Sequence, residues 1–149
     1  MLDSIDTLIL EMLSKKGNST ASEIAAKVSL SVPAVNKRIN KLSKSGIIDK
    51  YTISINSQMI QKPLLAFVFV EFGSLEYLDK LKAFVRKDKD ILEFFTVTGN
   101  FDYILKICAK DMADVDKKLA ALKSLDGVVR TNTYITLATH KYEPTVLPD

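Results

Sequence analysis

The segment Ser31-Val32-Pro33-Ala34-Val35-Asn36-Lys37-Arg38-Ile39-Asn40-Lys41-Leu42-Ser43-Lys44 predicts one helix with two chemically different faces. Its apolar residues recur every three or four positions and so share one side of a helix: Val32, Val35, Ile39 and Leu42. The opposite side carries Pro33, Lys37, Lys41 and Lys44, with Ala34 and Asn40 beside them. Ser31 can cap the first turn, and Gly46 follows the last one. We therefore expect a helix with a basic and uncluttered outer face.

The basic charge of the chain is concentrated around this helix. Residues 15–50 contain eight Lys or Arg against Glu23 and Asp49, a net charge of 8 − 2 = +6, whereas the whole chain carries +3. Residues 63–149 contain twelve basic and thirteen acidic residues and are nearly neutral. This asymmetry predicts a polyanion as the partner of the first part of the chain.

Two shorter helices are predicted before the basic one. Residues 3–14 repeat apolar side chains at helical spacing, with Asp3 or Ser4 as the cap. The sequence from Thr20 to Glu23 has the spacing of a capping box and opens a second helix. Two short helices joined by a tight turn, the second of them amphipathic and basic, make a helix-turn-helix, whose second helix fits the DNA major groove. The alternative is that the lysines are an ordinary solvated helix surface; the helix count, the short turn and the concentrated charge together favour DNA binding.

The second half of the chain alternates predicted strands and helices. Strands are predicted at 64–72, 91–98, 103–109 and 128–139, with one helix from Leu75 and another from Asp111 or Asp114. The order βαββαβ is that of a ferredoxin-like domain, whose helices cover one face of the sheet. Because the strand at 64–72 is almost wholly apolar, we expect the other face to be covered by self-association.

We therefore predict an α+β protein with two domains. A helix-turn-helix (winged-helix-like) domain is placed at 1–50, a half-buried strand at 51–55 with a linker to 62, a ferredoxin-like domain at 63–140 and a C-terminal tail at 141–149. The strand at 51–55 is predicted because its apolar and polar residues alternate.

The sequence predicts no enzyme active site, metal site or cofactor. The single histidine, His140, has no suitably spaced nucleophile or acid, and no glycine-rich phosphate loop is present. The single cysteine, Cys108, lies in an apolar strand and excludes internal disulfides. No run approaches the roughly 18 apolar residues of a membrane helix, and the first residues are acidic, so we expect a cytoplasmic protein without a membrane partner.

Short motifs occur in a characteristic order along nearly the whole chain. Those of the first half are Leu2–Asp6, Ile9-Leu10, Glu23–Ala25, Leu30-Ser31, Val35, Arg38-Ile39, Leu42 and Gly46–Ile48. Those of the second half are Gly99-Asn100-Phe101-Asp102-Tyr103 and Gly127-Val128-Val129 with Thr131 and Thr133. In this order the chain resembles the Lrp/AsnC, or feast/famine, family of bacterial and archaeal transcription regulators. It departs from the family pattern at Asn18, at Ser29 and at Gln61-Lys62, the last two where a glycine is common.

The resemblance implies homodimers that assemble into tetramers or octamers, with an amino acid effector held between ferredoxin-like domains of neighbouring dimers. The alternatives are a chromatin-type DNA-organising protein, an effector-free DNA binder and an RNA-binding winged helix.

The residues expected to contact DNA lie on the basic helix. Ser31, Ala34, Lys37 and Lys41 are the candidates for groove contact, and Lys44 continues the basic face. Arg38, which matches the family's arginine, can bind phosphate; its alternative is an intramolecular ion pair with Asp6 or Glu11.

The candidate effector site is the turn between the second and third strands. Backbone N–H groups at Gly99 and Asn100 can bind a carboxylate, and Asp102 can accept an ammonium group, while Tyr103 completes the motif. Thr131 and Thr133 can add hydroxyl groups. The alternative is that the segment is an ordinary hairpin turn whose aspartate bonds the turn backbone.

Overall fold

The computed structural model describes residues 2–148, which form two compact units. One comprises the chain up to Ile55 together with the tail from Lys141, and the other is Asn56–His140. The helices of the first unit are α1 (Ser4–Lys15), α2 (Ala21–Val28) and α3 (Val32–Lys44). The second unit contains β1 (Leu64–Phe72), a short 3-10 turn at Leu75–Tyr77, α4 (Leu78–Lys87), β2 (Ile91–Thr96), β3 (Tyr103–Ala109), α5 (Met112–Lys123) and β4 (Val128–Ile135).

All three helices of the first unit begin at the caps that their sequences predict. Asp3 and Thr20 form capping boxes with Asp6 and Glu23, and Ser31 accepts the Ala34 N–H at 3.4 Å. The apolar stripes meet in one core, in which four side chains are almost fully buried: Ile9, Ile24, Val35 and Leu42. This core fixes the outer face of α3 toward solvent.

Ser29 ends α2 in the left-handed conformation, with φ 55° and ψ 41°. This left-handed backbone conformation costs a residue with a Cβ roughly 1 kcal/mol or more, whereas glycine adopts it freely. We expect Ser29→Gly to raise the free energy of unfolding by about 1 kcal/mol in urea titrations. The matched change Ser22→Gly, in the first turn of α2, should lower it because glycine is a weaker helix former than serine. Equal effects of the two changes would contradict this explanation.

The second unit is a four-stranded antiparallel sheet with strand order β2-β3-β1-β4. Both helices pack on one face, where Val68, Val70 and Leu105 are completely buried together with Leu81 of α4 and Leu122 of α5. The order βαββαβ and this topology confirm the predicted ferredoxin-like fold.

The opposite sheet face carries no helix within the described chain and is mostly apolar. The strand register places on it Leu65, Phe67, Phe69, Phe95, Ile104, Cys108 and Tyr134. We call these residues the open face. The register also places charged residues on this face, and they are paired within the chain: Lys106, opposite Phe67, with Glu93, and Arg130 with Glu71, each at 2.9 Å.

The strand predicted at 51–55 is wrong for this chain. Tyr51, Ile53 and Ile55 are 59%, 79% and 61% exposed, and the segment has no strand partner within residues 2–148. Alternation shows which side chains would share a face but does not provide a neighbouring strand to bond. The strands beginning at Ile91 and Val128 are also shorter than predicted and end at Thr96 and Ile135.

Residues 56–62 form a compact turn that belongs to the second unit. Asn56 accepts the N–H groups of Gln58 and Met59, and Gln61 adopts a φ of 60°. Lys62 then forms an ion pair with Asp90. The hydrogen bond from Lys62 is the main cause that lowers the pKa of the Asp90 carboxyl.

Among the described residues, no helix is long and apolar enough to cross a membrane.

Candidate nucleic-acid interface and effector site

The outer face of α3 is an open depression lined with basic and amide side chains. Its lining residues are Pro33, Asn36, Lys37, Asn40, Lys41, Lys44 and Ser45. Lys37, Lys41 and Lys44 are exposed, and within residues 2–148 none of the three has a carboxylate partner. Three uncompensated ammonium groups on one helix face form a site suited to phosphate groups.

Arg38 does not join this face. Its Nη1 atom lies 2.6 Å from Asp6 Oδ1 and 2.7 Å from Asp3 Oδ2, so that it joins α3 to the start of α1. Hydrogen bonds to Asp3 and then Asp6 raise the pKa of the guanidinium. Asp6 is only 4% exposed and needs this partner. The intramolecular pair considered from the sequence, with Asp6 rather than Glu11, therefore replaces the phosphate contact predicted for Arg38.

The first turn of α3 serves the helix itself. The Ser31 hydroxyl is used as the cap, while Ala34 is half-buried at the beginning of the same turn. Both residues lie at the N-terminal end of the helix, which is the end that enters the groove first in helix-turn-helix proteins. Their small size leaves room for a duplex to approach this end.

The lysine before α2 is also engaged within the chain. Lys16 Nζ lies 2.7 Å from Glu23 Oε1, and Glu23 also accepts the Thr20 N–H. The hydrogen bond from Lys16, followed by those from Thr20, lowers the pKa of Glu23 to about 2. Lys16 and Arg38 are thus paired within the chain, whereas the three lysines on the outer face of α3 have no carboxylate partner among residues 2–148.

The predicted effector turn closes one end of the sheet. The Val97 N–H donates to the Asp102 carbonyl oxygen at 2.9 Å, and the Asp102 N–H donates to the Val70 carbonyl oxygen at 3.0 Å. Asp102 Oδ2 accepts the Phe72 N–H at 2.7 Å. The aspartate thus bonds the backbone, as expected for an ordinary turn, and its Oδ1 atom has no partner within residues 2–148. Gly99 has a φ of 119°, which disfavours any residue with a side chain there.

Beside this turn, at the edge of the open face, lies a hollow of about 410 Å³. Small-molecule sites commonly measure roughly 300–1,000 Å³. The lining is largely aromatic and consists of Phe69, Val97, Thr98, Asn100, Phe101 and Tyr134. The Phe69 ring packs against Phe101 and Tyr134 with centroids 5.7 and 5.6 Å apart, and Arg130 lies 5.1 Å from the Phe101 centroid. The turn thus contributes Val97, Thr98, Asn100 and Phe101 to the hollow, and the strands contribute Phe69 and Tyr134.

Of the predicted effector residues, Asn100 lines this hollow, whereas Gly99 and Asp102 belong to the same turn but are not among its lining residues. The other three lie elsewhere. Tyr103 is 5% exposed and its ring contacts Phe72 and Phe94 in the core, so it does not face the hollow. Thr131 and Thr133 pair with Val70 and Val68, which places them on the helix-covered side of β4. A single chain therefore brings Gly99, Asn100 and Asp102 together and leaves the two threonines on the other face.

Sequence reasoning missed two sets of lining residues. Asn36, on the α3 face, could have been found from its spacing of four residues from Asn40. Phe69 and Tyr134 could not, because only the strand register brings them together. Among residues 2–148, no cluster of three or more His, Cys, Asp or Glu side chains could hold a metal ion.

Known proteins resemble the chain over both units. Residues 65–146 match the family model described as Lrp/AsnC ligand binding domain, and residues 2–49 match that of winged helix-turn-helix DNA-binding. The HTH-type transcriptional regulator FL11 of Pyrococcus abyssi is 34% identical over 147 residues, which cover 99% of this chain and 96% of FL11. The leucine-responsive regulatory protein of Salmonella typhimurium is 34% identical over 139 residues, covering 91% of this chain and 85% of that protein.

A solved structure shares the whole fold. The crystal structure of a transcriptional regulator from Neisseria meningitidis in complex with L-Met superposes with a TM-score of 0.94 at 27% identity, and covers 98% of this chain and 96% of that one. These matches cover both units of the chain. They agree with a basic helix-turn-helix in the first unit and a ferredoxin-like fold in the second. The chain belongs to the Lrp/AsnC family of DNA-binding transcription regulators.

Proposed function

We propose that α3 is the element that enters the DNA major groove and that Lys37, Lys41 and Lys44 contact phosphates there. The observation that carries this proposal is the exposed face of α3, on which these three cations have no carboxylate partner among residues 2–148. Ser31 and Ala34, at the N-terminal end of the helix, approach the base edges.

Replacing Lys37 or Lys41 with Ala should reduce the salt dependence of DNA binding. Each phosphate contact releases counterions, so the slope of log K against log salt should fall by roughly 0.9 for each phosphate that the variant no longer binds. Fluorescence anisotropy on one duplex from about 50 to 300 mM salt measures the slope. Lys123→Ala, at the end of α5 in the other unit, is the control and should leave the slope unchanged. An unchanged slope for both α3 variants would contradict the proposed phosphate binding.

We further propose that two chains dimerise through the open face. The face is mostly apolar and its edge strands are partly exposed, with Phe95 of β2 49% and Tyr134 of β4 57% exposed. The charges of Lys106 and Arg130 on this face are already neutralised by Glu93 and Glu71 of the same chain, so a second copy can cover the face without leaving these charges unpaired. A two-fold dimer presents two copies of α3 to DNA, and such dimers are proposed to assemble further into tetramers or octamers.

The ligand of the second unit is proposed to be a free amino acid bound at the hollow beside the turn 97–102. The N–H groups around Gly99 and Asn100 can bind its carboxylate, Asp102 Oδ1 its ammonium group, and the aromatic lining its side chain. Thr131 and Thr133 face away within one chain, so any contribution from them would come from a neighbouring subunit. The L-Met complex of the Neisseria meningitidis regulator supports an amino acid as the ligand class.

Calorimetry against the twenty amino acids should therefore detect binding of at least one. For that amino acid, Phe101→Ala should weaken binding roughly tenfold or more, because the variant lacks part of the aromatic lining. Met112→Ala, which truncates an exposed apolar side chain at the start of α5, should leave the affinity unchanged. No heat with any amino acid would contradict an effector role. Because one relative is named a transcriptional regulator and the other a regulatory protein, we propose regulation rather than catalysis as the activity of the chain.

A further inference from the structure

The exposed face of α3 consists of two parallel rows of side chains. One row contains Asn36, Asn40 and Lys44, and the other contains Pro33, Lys37, Lys41 and Ser45. Residues four positions apart in a helix are offset by only about 40° around its axis, so each row runs nearly along the helix. The face therefore presents the two amides, followed by Lys44, beside a row that contains Lys37 and Lys41.

The two amides are free to bind another molecule. Asn36 and Asn40 are exposed, and within residues 2–148 neither side chain has a hydrogen-bond partner. By contrast, the Asn56 side chain accepts the Gln58 N–H at 3.0 Å, and that of Asn132 donates to the Tyr134 hydroxyl at 3.0 Å. Asparagine is also a weak helix former, with a lower helix propensity than Ala, Lys or Glu. Two such residues at exposed positions of one row have no role in the helix itself.

A side-chain amide has the chemistry that reads adenine. Its oxygen accepts from the adenine N6 amino group while its nitrogen donates to N7, and the pair of bonds distinguishes A·T from the other base pairs in the major groove. A lysine ammonium lacks an acceptor and binds phosphate without regard to sequence. Asn36 and Asn40 lie roughly 6 Å apart along the helix axis, whereas base pairs are stacked about 3.4 Å apart. The two amides can therefore reach base pairs one or two steps apart.

We propose that Asn36 and Asn40 are the residues that read sequence, each binding one adenine in the major groove of a half-site, while Lys37 and Lys41 contact a phosphate strand at its wall. The inference rests on the proposed entry of α3 into the groove. It separates the side chains of this face by role: the amides determine which site is bound, and the lysines, including Lys44 at the end of the amide row, determine how tightly any DNA is bound.

Selection of binding sites from a random duplex library tests this division. The wild-type chain should select half-sites with A·T pairs at two positions one or two steps apart. Asn36→Ala should abolish the preference at one position and Asn40→Ala at the other. Each change should reduce the ratio of cognate to mismatched affinity by roughly 5- to 150-fold, the range for one bidentate pair of hydrogen bonds. The salt slope should stay at the wild-type value in both variants.

The matched control is Lys37→Ala, which should lower the salt slope and keep the selected sequence. Because Ala favours a helix more than Asn, both Asn variants should melt at or above the wild-type temperature, which excludes misfolding as the cause of reduced specificity. Placing 7-deazaadenine at the position that depends on Asn36 removes the N7 acceptor. It should weaken wild-type binding and leave the Asn36→Ala variant unaffected.

The outcomes separate this inference from the proposal beneath it. If both Asn variants select the wild-type sequence while Lys37→Ala lowers the slope, α3 binds DNA but the amides do not read it, and the inference is overturned. If neither the Asn nor the Lys variants change binding, the placement of α3 in the groove is itself wrong.

Discussion

Asp6→Asn is expected to destabilise the first unit by roughly 2–3 kcal/mol. Asp6 is 4% exposed and accepts a hydrogen bond from the Arg38 guanidinium at 2.6 Å. Neutralising Asp6 therefore leaves the Arg38 cation without its buried partner. Removing one member of a fully buried ion pair costs about 3–5 kcal/mol, and the smaller figure reflects the 29% exposure of the Arg38 side chain. Urea unfolding followed by circular dichroism measures the change.

Two control variants test whether the effect belongs to this pair. Asp3→Asn should cost less, because Asp3 is 52% exposed and asparagine keeps the helix cap. Glu11→Gln should have no effect, because Arg38 pairs with Asp3 and Asp6 instead. The double change Asp6→Leu with Arg38→Met should be less destabilising than the sum of the single changes, since no buried charge is left unpaired. Strict additivity would contradict a direct ion pair.

Phe67→Lys is expected to convert the protein into monomers and to weaken DNA binding by roughly 100- to 10,000-fold. Phe67 lies at the centre of the open face, paired across the strands with Lys106 and Tyr134. A second positive charge beside Lys106 would be buried against the other subunit without a partner. Loss of the dimer turns two linked binding events into one, which removes the avidity of paired helices.

Sedimentation velocity and DNA titration on the same samples test this expectation. Met112→Lys introduces the same charge at an exposed apolar site outside the open face and should leave both measurements unchanged. The circular dichroism spectrum of the Phe67→Lys monomer should remain that of the wild type, because the substituted side chain faces away from the core. A dimer that persists with Lys at position 67 would show that the chains associate through another surface.

Local signals in the sequence predicted most of the fold. Asp3, Thr20 and Ser31 cap their helices, and the strands at 64–72 and 103–109 have the predicted bounds, because caps and apolar runs act through neighbouring residues. The prediction of a strand at 51–55 is wrong because a strand needs a hydrogen-bonding partner, and one chain does not supply it among residues 2–148.

The sites were less predictable because they depend on residues distant in sequence. Arg38 forms an ion pair with Asp6, which lies 32 positions away in the sequence, and this pair replaces the phosphate contact that the sequence predicted. Thr131 lies on the helix-covered face because of the register in which β4 pairs with β1. A shift of this register by one residue would move the Thr131 side chain to the open face. Tyr103 could have been assigned to the core from its alternation with Leu105 and Ile107, both of which are buried.

A two-fold dimer that places two copies of α3 in the DNA major groove should leave a characteristic footprint. Methylation protection of guanine N7, a major-groove atom, detects it on a duplex obtained by site selection. We expect two protected patches on one side of the duplex, with centres separated by one helical turn of about 10–10.5 base pairs or a multiple of it. A single protected patch, or no protection of guanine N7 at a salt concentration where the protein binds, would contradict the paired docking of α3.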